Sequence, residues 1–333
     1  MKLAINGFGR IGRAAFKVIL EKNYDVEIAA INDLTDNKTL AHLLKYDTAY
    51  GVFNKEILSS EDGIIVDGKK FKVLAEKDPL NLPWKELGID IVLECTGIFT
   101  KTEDLKKHIQ AGAKKVVLSA PPKNDEIATY VLGVNDEKIN EKEDIISNAS
   151  CTTNCIAPVM KILEDNFGVE KALMTTIHAY TADQNLVDGP HKKGDLRRAR
   201  AAAENITPTT TGAAVTVTKI IPALKDKFDG LAVRVGVQVG SLSDIVVLLK
   251  KDITAEKLNN VFKKAAENEF KNILTTTEDP IVSSDIVGNP YSSIVDLSLT
   301  EVVGGNLVKV IAWYDNEWGY ANRLVELAMK IIS

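Results

Sequence analysis

Lys2-Leu3-Ala4-Ile5-Asn6-Gly7-Phe8-Gly9-Arg10-Ile11-Gly12 opens the chain with a short apolar run, three glycines in GxGxxG spacing, and then Ala15, Val18 and Ile19 at helical period. Strand, turn and helix in that order are the start of a dinucleotide-binding unit. Gly7 permits the tight turn, Gly9 lets backbone approach a pyrophosphate, and Gly12 lets the helix pack close to the strand. The pyrophosphate would lie on the helix N-terminus, where free N–H groups and the helix dipole favour an anion. Phe8, Arg10 and Ile11 complete this loop as candidate cofactor contacts.

The glycine pattern alone is common, and the next elements narrow it. Val26–Ile31 reads as a second strand ending at Asn32-Asp33, about twenty residues past the last glycine. An acid there accepts from adenosine ribose hydroxyls and repels a 2′-phosphate, so Asp33 favours NAD over NADP. Ile64–Val73, with Asp67-Gly68 in its turn, predicts a hairpin outside the parallel sheet. Ile89–Leu93 is a buried strand ending at Glu94-Cys95-Thr96-Gly97. A helix follows over Thr102–Ala111, then a strand Lys115–Leu118 ending at Ser119. Ligands bind beyond the carboxyl ends of parallel strands, which makes Thr96, Gly97 and Ser119 candidates to line the crevice; Cys95 reads as packing. Tyr130–Gly133 and Asp144–Ser147 complete an α/β Rossmann sheet.

Ser147-Asn148-Ala149-Ser150-Cys151-Thr152-Thr153-Asn154-Cys155 then hands a strand over to a helix that Ile156, Val159, Met160 and Leu163 continue on one face. Ser150 or Asn148 can cap it. Cys151 falls in the first turn, where free N–H groups and the dipole favour the nucleophilic thiolate. A small buried residue at a helix start is the competing reading. Cys155, one helical turn on, reads as packing.

Past residue 170 the alternation of strand and helix gives way to longer β stretches at Ala172–Ile177, Leu231–Val239, Ile245–Lys250 and Leu307–Tyr314. These predict an α+β domain with a mainly antiparallel sheet, covered by helices at Ala213–Leu224 and Ala255–Glu269. A last amphipathic helix covers Asn322–Ile332. His178 stands at a strand end, able to pair with a cysteine as its base or to be an ordinary polar residue. The long segment Thr181–Pro208 carries Arg197, Arg198 and Arg200. Its basic residues form a solvated face, an anion site completed by Thr209-Thr210-Thr211-Gly212, or, as a lesser option, a nucleic-acid patch.

The chain has 333 residues, enough for two domains, and its 45% hydrophobic and 26% charged residues are those of a globular protein. A net charge of -5 speaks against nucleic acid as the main partner. No apolar run reaches membrane-spanning length, the start has no signal-peptide pattern, and three cysteines make no disulfide framework. A cytoplasmic protein is expected.

With these residues in place, the chain closely resembles the phosphorylating glyceraldehyde-3-phosphate dehydrogenases, from the first strand to the last helix. Ile5-Asn6-Gly7-Phe8-Gly9-Arg10-Ile11-Gly12-Arg13 is similar to that family's cofactor loop, Ser150–Cys155 to its active-site signature, and Trp313-Tyr314-Asp315-Asn316-Glu317-Trp318-Gly319-Tyr320 to its C-terminal motif. His178-Ala179-Tyr180-Thr181 follows Cys151 at the family's spacing.

The resemblance implies Cys151 as nucleophile and His178 as its partner. It implies Thr181, Asp183 and Arg234 around the substrate's terminal phosphate, and Ser150, Thr152, Arg198, Thr211 and Gly212 at a site for inorganic phosphate. Asn316 would fix the nicotinamide carboxamide, with Tyr320 stacked nearby. Asp33-Leu34 and Pro190 match the NAD-selective pattern, while Lys77 falls where NADP-using members place a basic group. Also implied are an NAD-binding domain of residues 1–150 with the helix 318–333, a catalytic domain of 151–317, and a homotetramer in which Thr181–Pro208 reaches a neighbour's cofactor.

The implied reaction oxidises and phosphorylates glyceraldehyde 3-phosphate with NAD and inorganic phosphate, giving 1,3-bisphosphoglycerate through a Cys151 thiohemiacetal and thioester. Erythrose-4-phosphate dehydrogenase, which hydrolyses the thioester, is the nearest rival, and the intact Arg198 and Thr209–Gly212 pattern argues against it. A non-catalytic RNA-binding or scaffold role would be marked by loss of Cys151 or His178, and both are present. One departure stands out: after Arg234-Val235 the family usually has proline and threonine, where this chain has Gly236-Val237-Gln238-Val239-Gly240.

Overall fold

The structure is a computed structural model that describes residues 1–332. The chain divides into two compact units. The first comprises Met1–Tyr130, Lys138–Ala149 and the residues from Ala321 on; the second comprises Val131–Glu137 and Ser150–Tyr320.

The first unit is built on a nine-stranded sheet. At its centre lies the strand Lys2–Asn6, fully buried from Leu3 onward, which pairs in parallel with Glu27–Asn32 on one side and Ile91–Glu94 on the other. Beyond Ile91–Glu94 come Lys115–Leu118, Ile145–Ser147 and the short Ala128–Thr129, all parallel. Strand order therefore reverses at Lys2–Asn6, and this opens a crevice at the carboxyl ends of the central strands.

Apolar runs such as Ile91–Leu93 and Val116–Leu118 are buried on both faces, as strands covered by helices must be. The helix Arg10–Glu21 buries Ala14, Ala15, Phe16, Val18 and Ile19. Gly12 is obligatory there, because a Cβ would sit 2.1 Å from the Gly7 carbonyl oxygen. Lys22 at this helix's end bonds Glu326 of the C-terminal helix Trp318–Lys330 at 3.2 Å.

Two expectations for this unit are corrected. The hairpin at Ile64–Val73 is not outside the sheet: its second strand, Lys69–Leu74, pairs in parallel with Glu27–Asn32 through Ile31–Val73 and Asn32–Leu74, and its partners Gly63–Val66 and Ile57–Ser60 extend the edge. Tyr130–Gly133 is not a strand. The strand lies just before it, and the Tyr130 hydroxyl instead donates to Glu143 at 2.7 Å.

The second unit holds a seven-stranded sheet in the order Thr207–Thr209, Phe228–Val235, Val169–Ala179, Ser241–Leu249, Leu307–Tyr314, Ser293–Val303, Leu274–Thr277. Four of its six pairings are antiparallel; Val169–Ala179 with Phe228–Val235 and Leu274–Thr277 with Ser293–Val303 are parallel. Strict alternation in Ser241–Leu249 buries one face beneath the helix Cys151–Phe167. The helix expected over Ala213–Leu224 ends at Ile220, since Pro222 has no N–H to continue the ladder, and Pro222–Leu224 forms a 3-10 turn. The C-terminal helix starts four residues earlier than its apolar periodicity implied, at Trp318.

Candidate active site

In the second unit, Ser150 caps the helix Cys151–Phe167: its Oγ accepts from the Thr153 N–H at 3.0 Å. Ala149, just before it in the chain, has φ +57° and no exposed surface, a left-handed conformation that a non-glycine residue adopts only under constraint. Cys151, partly exposed, is the first helical residue, and its Sγ lies 3.4 Å from His178 Nε2. Strand Val169–Ala179 delivers that imidazole, 4% exposed, and its ring makes a T-shaped contact with buried Tyr314. The Tyr314 hydroxyl bonds the Thr152 and Thr176 hydroxyls at 3.0 and 2.8 Å.

Arg234 reaches His178 because the two residues face each other in the parallel pairing of their strands. Its Nη1 lies 2.9 Å from the Ala179 carbonyl and 2.7 Å from His178 Nδ1, which is itself 2.7 Å from that carbonyl. Nδ1 thus faces both a carbonyl acceptor and a guanidinium donor; in the tautomer that carries its proton on Nδ1 and donates it to Ala179, Nε2 faces the sulfur as an acceptor. That is the tautomer a base requires.

Burial, followed by the Arg234 cation, lowers His178 to about 3, so the imidazole is neutral. Burial also raises the Cys151 thiol above its ordinary value, against the downward pull of Arg234 and of the Thr152 hydroxyl and N–H. The expectation that the helix start favours the thiolate is thus opposed by burial, which outweighs the Arg234 cation and the Thr152 donors, and the thiol faces a neutral imidazole.

Three of the expected phosphate-binding residues, Thr181, Asp183 and Arg198, form one linked cluster. Thr181 donates to Asp183, and Arg198 bridges Asp183 and the Thr209 hydroxyl. Burial pushes the Asp183 carboxyl up, but Thr181, Arg198 and Arg234 together hold it below its usual value. Thr211 accepts from the Ala213 N–H at 3.2 Å and turns the chain into the helix Ala213–Ile220 after Gly212. Pro190 is exposed on a loop pinned by Asn185, whose amide donates to the Gly189 and Pro190 carbonyls. Asn316, 5% exposed, accepts through Oδ1 from Gly240 N and Ser241 Oγ, which orients its amide nitrogen away from them. Tyr320 is buried four residues beyond it, in the first turn of the C-terminal helix.

The departure at Gly236–Gly240 has a steric basis. A Cβ at Gly236 would stand 2.4 Å from the Ala203 carbonyl oxygen, and one at Gly240, with φ +96°, 2.4 Å from that of Ser283. Both positions therefore carry glycine.

In the first unit, the Gly7 turn abuts Thr96: a Cβ on Gly7 would lie 2.6 Å from its nitrogen. Gly9 has open space where its side chain would stand. Asp33 accepts from the Phe8 and Thr35 N–H groups at 2.7 and 2.9 Å, one on each oxygen, with lone pairs remaining for ribose hydroxyls. An open glycine cradle at a helix start and a carboxylate at the next strand end fit a dinucleotide without a 2′-phosphate.

Gly97, with φ +68°, continues the Thr96 turn, and the Ser119 N–H bonds the Glu94 carbonyl at the neighbouring strand end. Exposed Lys77 follows Glu76, whose backbone bonds Asn32 beside Asp33. Ile11 is half-buried in the first helical turn. Arg10 is committed to Asp47 at 2.6 Å and stacks over Tyr50, so it braces the loop from outside. Sequence reasoning missed Arg13, whose guanidinium donates to the Phe8 carbonyl at 2.8 Å, and Ser241; the signal for Arg13 was a cation, like Lys17 one turn on, in a helix whose other buried residues are apolar or glycine.

A dinucleotide cradle in one unit, and in the other a cysteine at a helix start with its histidine base, define an NAD-linked aldehyde-oxidising class of enzyme. Residues 1–102 match the family model for the glyceraldehyde 3-phosphate dehydrogenase NAD binding domain, and residues 150–316 that for its C-terminal domain. The chain belongs to the glyceraldehyde-3-phosphate dehydrogenase family. Glyceraldehyde-3-phosphate dehydrogenase 2 of Streptomyces avermitilis is 56% identical over 332 residues, covering 99% of this chain and 98% of its own. The enzyme of Borreliella burgdorferi is 56% identical over the whole of both chains, and that of Geobacillus stearothermophilus 53% identical over 100% of this chain and 98% of its own.

Proposed function

We propose that the chain oxidises and phosphorylates D-glyceraldehyde 3-phosphate to 1,3-bisphosphoglycerate, with NAD as cofactor and inorganic phosphate as second substrate. The observation that carries this reading is the 3.4 Å approach of Cys151 Sγ to His178 Nε2 in a chain of this family. His178 takes the thiol proton as Cys151 attacks the aldehyde carbon, and returns it to the developing alkoxide to give a thiohemiacetal. His178 then removes the hydroxyl proton so that the carbonyl can re-form. Bound NAD supplies the two-electron acceptor that turns this adduct into a thioester. Phosphate held near Arg198, Thr209 and Thr211 attacks the thioester carbon, and Cys151 leaves as thiolate.

The assignments of Thr181, Asp183 and Arg234 to the substrate phosphate, and of Ser150, Thr152, Arg198, Thr211 and Gly212 to inorganic phosphate, belong to this proposal. So do the cofactor contacts of Gly7–Gly12, Asp33, Lys77, Thr96, Gly97, Ser119, Pro190, Asn316 and Tyr320, and the division into an NAD-binding domain of 1–150 with 318–333 and a catalytic domain of 151–317.

A homotetramer is supported by exposed apolar surface on the second unit, where Leu173 and Leu307 of the sheet and Val215 of the helix Ala213–Ile220 line a recess of about 1480 Å³. Three unpaired cysteines support a reducing cytoplasm. Among the described residues no helix is long and apolar enough to cross a membrane.

The test follows NADH formation from glyceraldehyde 3-phosphate with and without phosphate, in the native protein and in Cys151→Ala. Phosphate-dependent turnover that vanishes in the variant is expected. Turnover indifferent to phosphate, or retained without Cys151, refutes the reading.

A further inference from the structure

A fully buried polar chain in the first unit takes no part in the chemistry above. Trp84, Glu94 and His108 have no exposed surface, and Asn6 and Asn32 are 1% and 5% exposed. The Trp84 indole N–H donates to His108 Nδ1 at 3.0 Å. Because an indole nitrogen can only donate, Nδ1 must be an acceptor, and the ring proton is confined to Nε2. That Nε2 lies 3.1 Å from Glu94 Oε2 and donates to it.

Asn6 Nδ2 reaches the same oxygen at 2.6 Å, and the Thr96 N–H and hydroxyl both donate to Oε1. Four donors thus converge on the Glu94 carboxylate, and each comes from an element beside the crevice or behind it. The chain continues from Asn6 Oδ1 to Asn32 Nδ2 at 2.7 Å, and Asn32 ties down the Glu76 backbone. Asn6 immediately precedes Gly7, Asn32 precedes Asp33, and Thr96 begins the third turn. No packing argument requires a histidine and a glutamate here; an apolar core would close the same space without desolvating a carboxylate.

We propose that His108 is a positioning residue for the dinucleotide: with its tautomer locked by Trp84, it anchors Glu94, and Glu94 holds the Gly7, Asp33 and Thr96 turns at one spacing. The proposal rests on the placement of NAD at those turns. His108→Asn keeps the partner of Trp84 but withdraws the donor to Glu94, whereas the amide nitrogen of His108→Gln falls near the Nε2 position and restores it. An acceptor left short of a donor in a buried site loosens the turns, so NAD binding to the His108→Asn protein is expected to weaken about tenfold, and binding to His108→Gln to stay within about threefold of native. Trp84→Phe frees the tautomer and is expected to weaken NAD binding severalfold even if His108→Asn folds poorly.

NAD dissociation constants from calorimetry, with kcat at saturating NAD, make the test. Weakened NAD binding with kcat held near native, rescued by glutamine, supports the role. Native NAD affinity in both His108→Asn and Trp84→Phe, or equal loss in His108→Asn and His108→Gln, overturns it. Asp33→Asn is the control: if it leaves NAD affinity unchanged, the placement of NAD fails. A normal response there with an unresponsive His108 series fails His108 alone.

Discussion

Replacing His178 with Asn removes the base while leaving Cys151 at its capped helix start. In the native pair the thiol proton crosses 3.4 Å to Nε2. In the variant it must leave to water before the sulfur can attack. Burial raises the thiol above its ordinary value, so it is almost wholly protonated at pH 7. Losing the base that removes its proton is expected to cost ~10²–10⁴-fold in the oxidation step. The same reasoning sets the pH dependence: each unit between pH 7 and 9 raises the thiolate roughly tenfold, and the variant's rate climbs with it. The native protein, with its base in contact, has a flatter profile. Rapid-mixing measurement of the first turnover of NADH across this range, with NAD binding and melting temperature as controls for folding, makes the test. A loss below tenfold at pH 7, or a variant profile parallel to the native one, refutes the assignment of His178 as base.

Arg234→Gln removes the cation that, after burial, most depresses His178 from 6.5 to about 3; the imidazole is expected to titrate at least about one unit higher, read from its ring protons by NMR. Because the folded value lies below the unfolded one, His178 leaves stability intact above pH 6.5 and erodes it as pH falls from 6.5 toward 3, by up to about 1.4 kcal/mol per unit. Urea unfolding of Arg234→Gln is expected to show the erosion levelling off at least about one pH unit sooner, so that less stability is lost by pH 3, and an equal total loss contradicts the contact. Ser150→Ala deletes the acceptor for the Thr153 N–H and is expected to destabilise the protein by about 1 kcal/mol in chemical denaturation; a change under a few tenths means the cap is idle. Gly240→Ala forces a Cβ to 2.4 Å from the Ser283 carbonyl at φ +96° and is expected to lower stability by about 2 kcal/mol and raise KM for NAD through Asn316. An unchanged melting temperature would show that the loop relaxes freely.

The cofactor loop and the nucleophile helix were readable in the sequence because their signals are local. Gly7, Gly9 and Gly12 act on a turn within six residues of one another, and Ser150 caps a helix through Thr153, three positions on. The hairpin at Ile64–Val73 was recognised by its Asp67-Gly68 turn, but its place in the sheet was not, since edge pairing with Glu27–Asn32 leaves no mark in the hairpin's own residues. The helix ending at Ile220 was overextended because apolar periodicity runs on through Pro222.

By itself, the sequence determined the alternation of strand and helix in the first half, the glycine turn, the acid at the second strand end, and a cysteine at a helix start with a histidine at a later strand end. These depend on backbone sterics and on contacts a few residues apart. Tertiary structure alone decided the state of the site. Arg234 stands beside His178 because two strands pair in one register across 56 positions, and desolvation of Cys151 and His178 arises from every element packed around them. The Asn6–Glu94–His108–Trp84 chain joins residues scattered over more than a hundred positions into one buried group. Charge, tautomer and burial are sums over neighbours in space, and no stretch of sequence contains those neighbours.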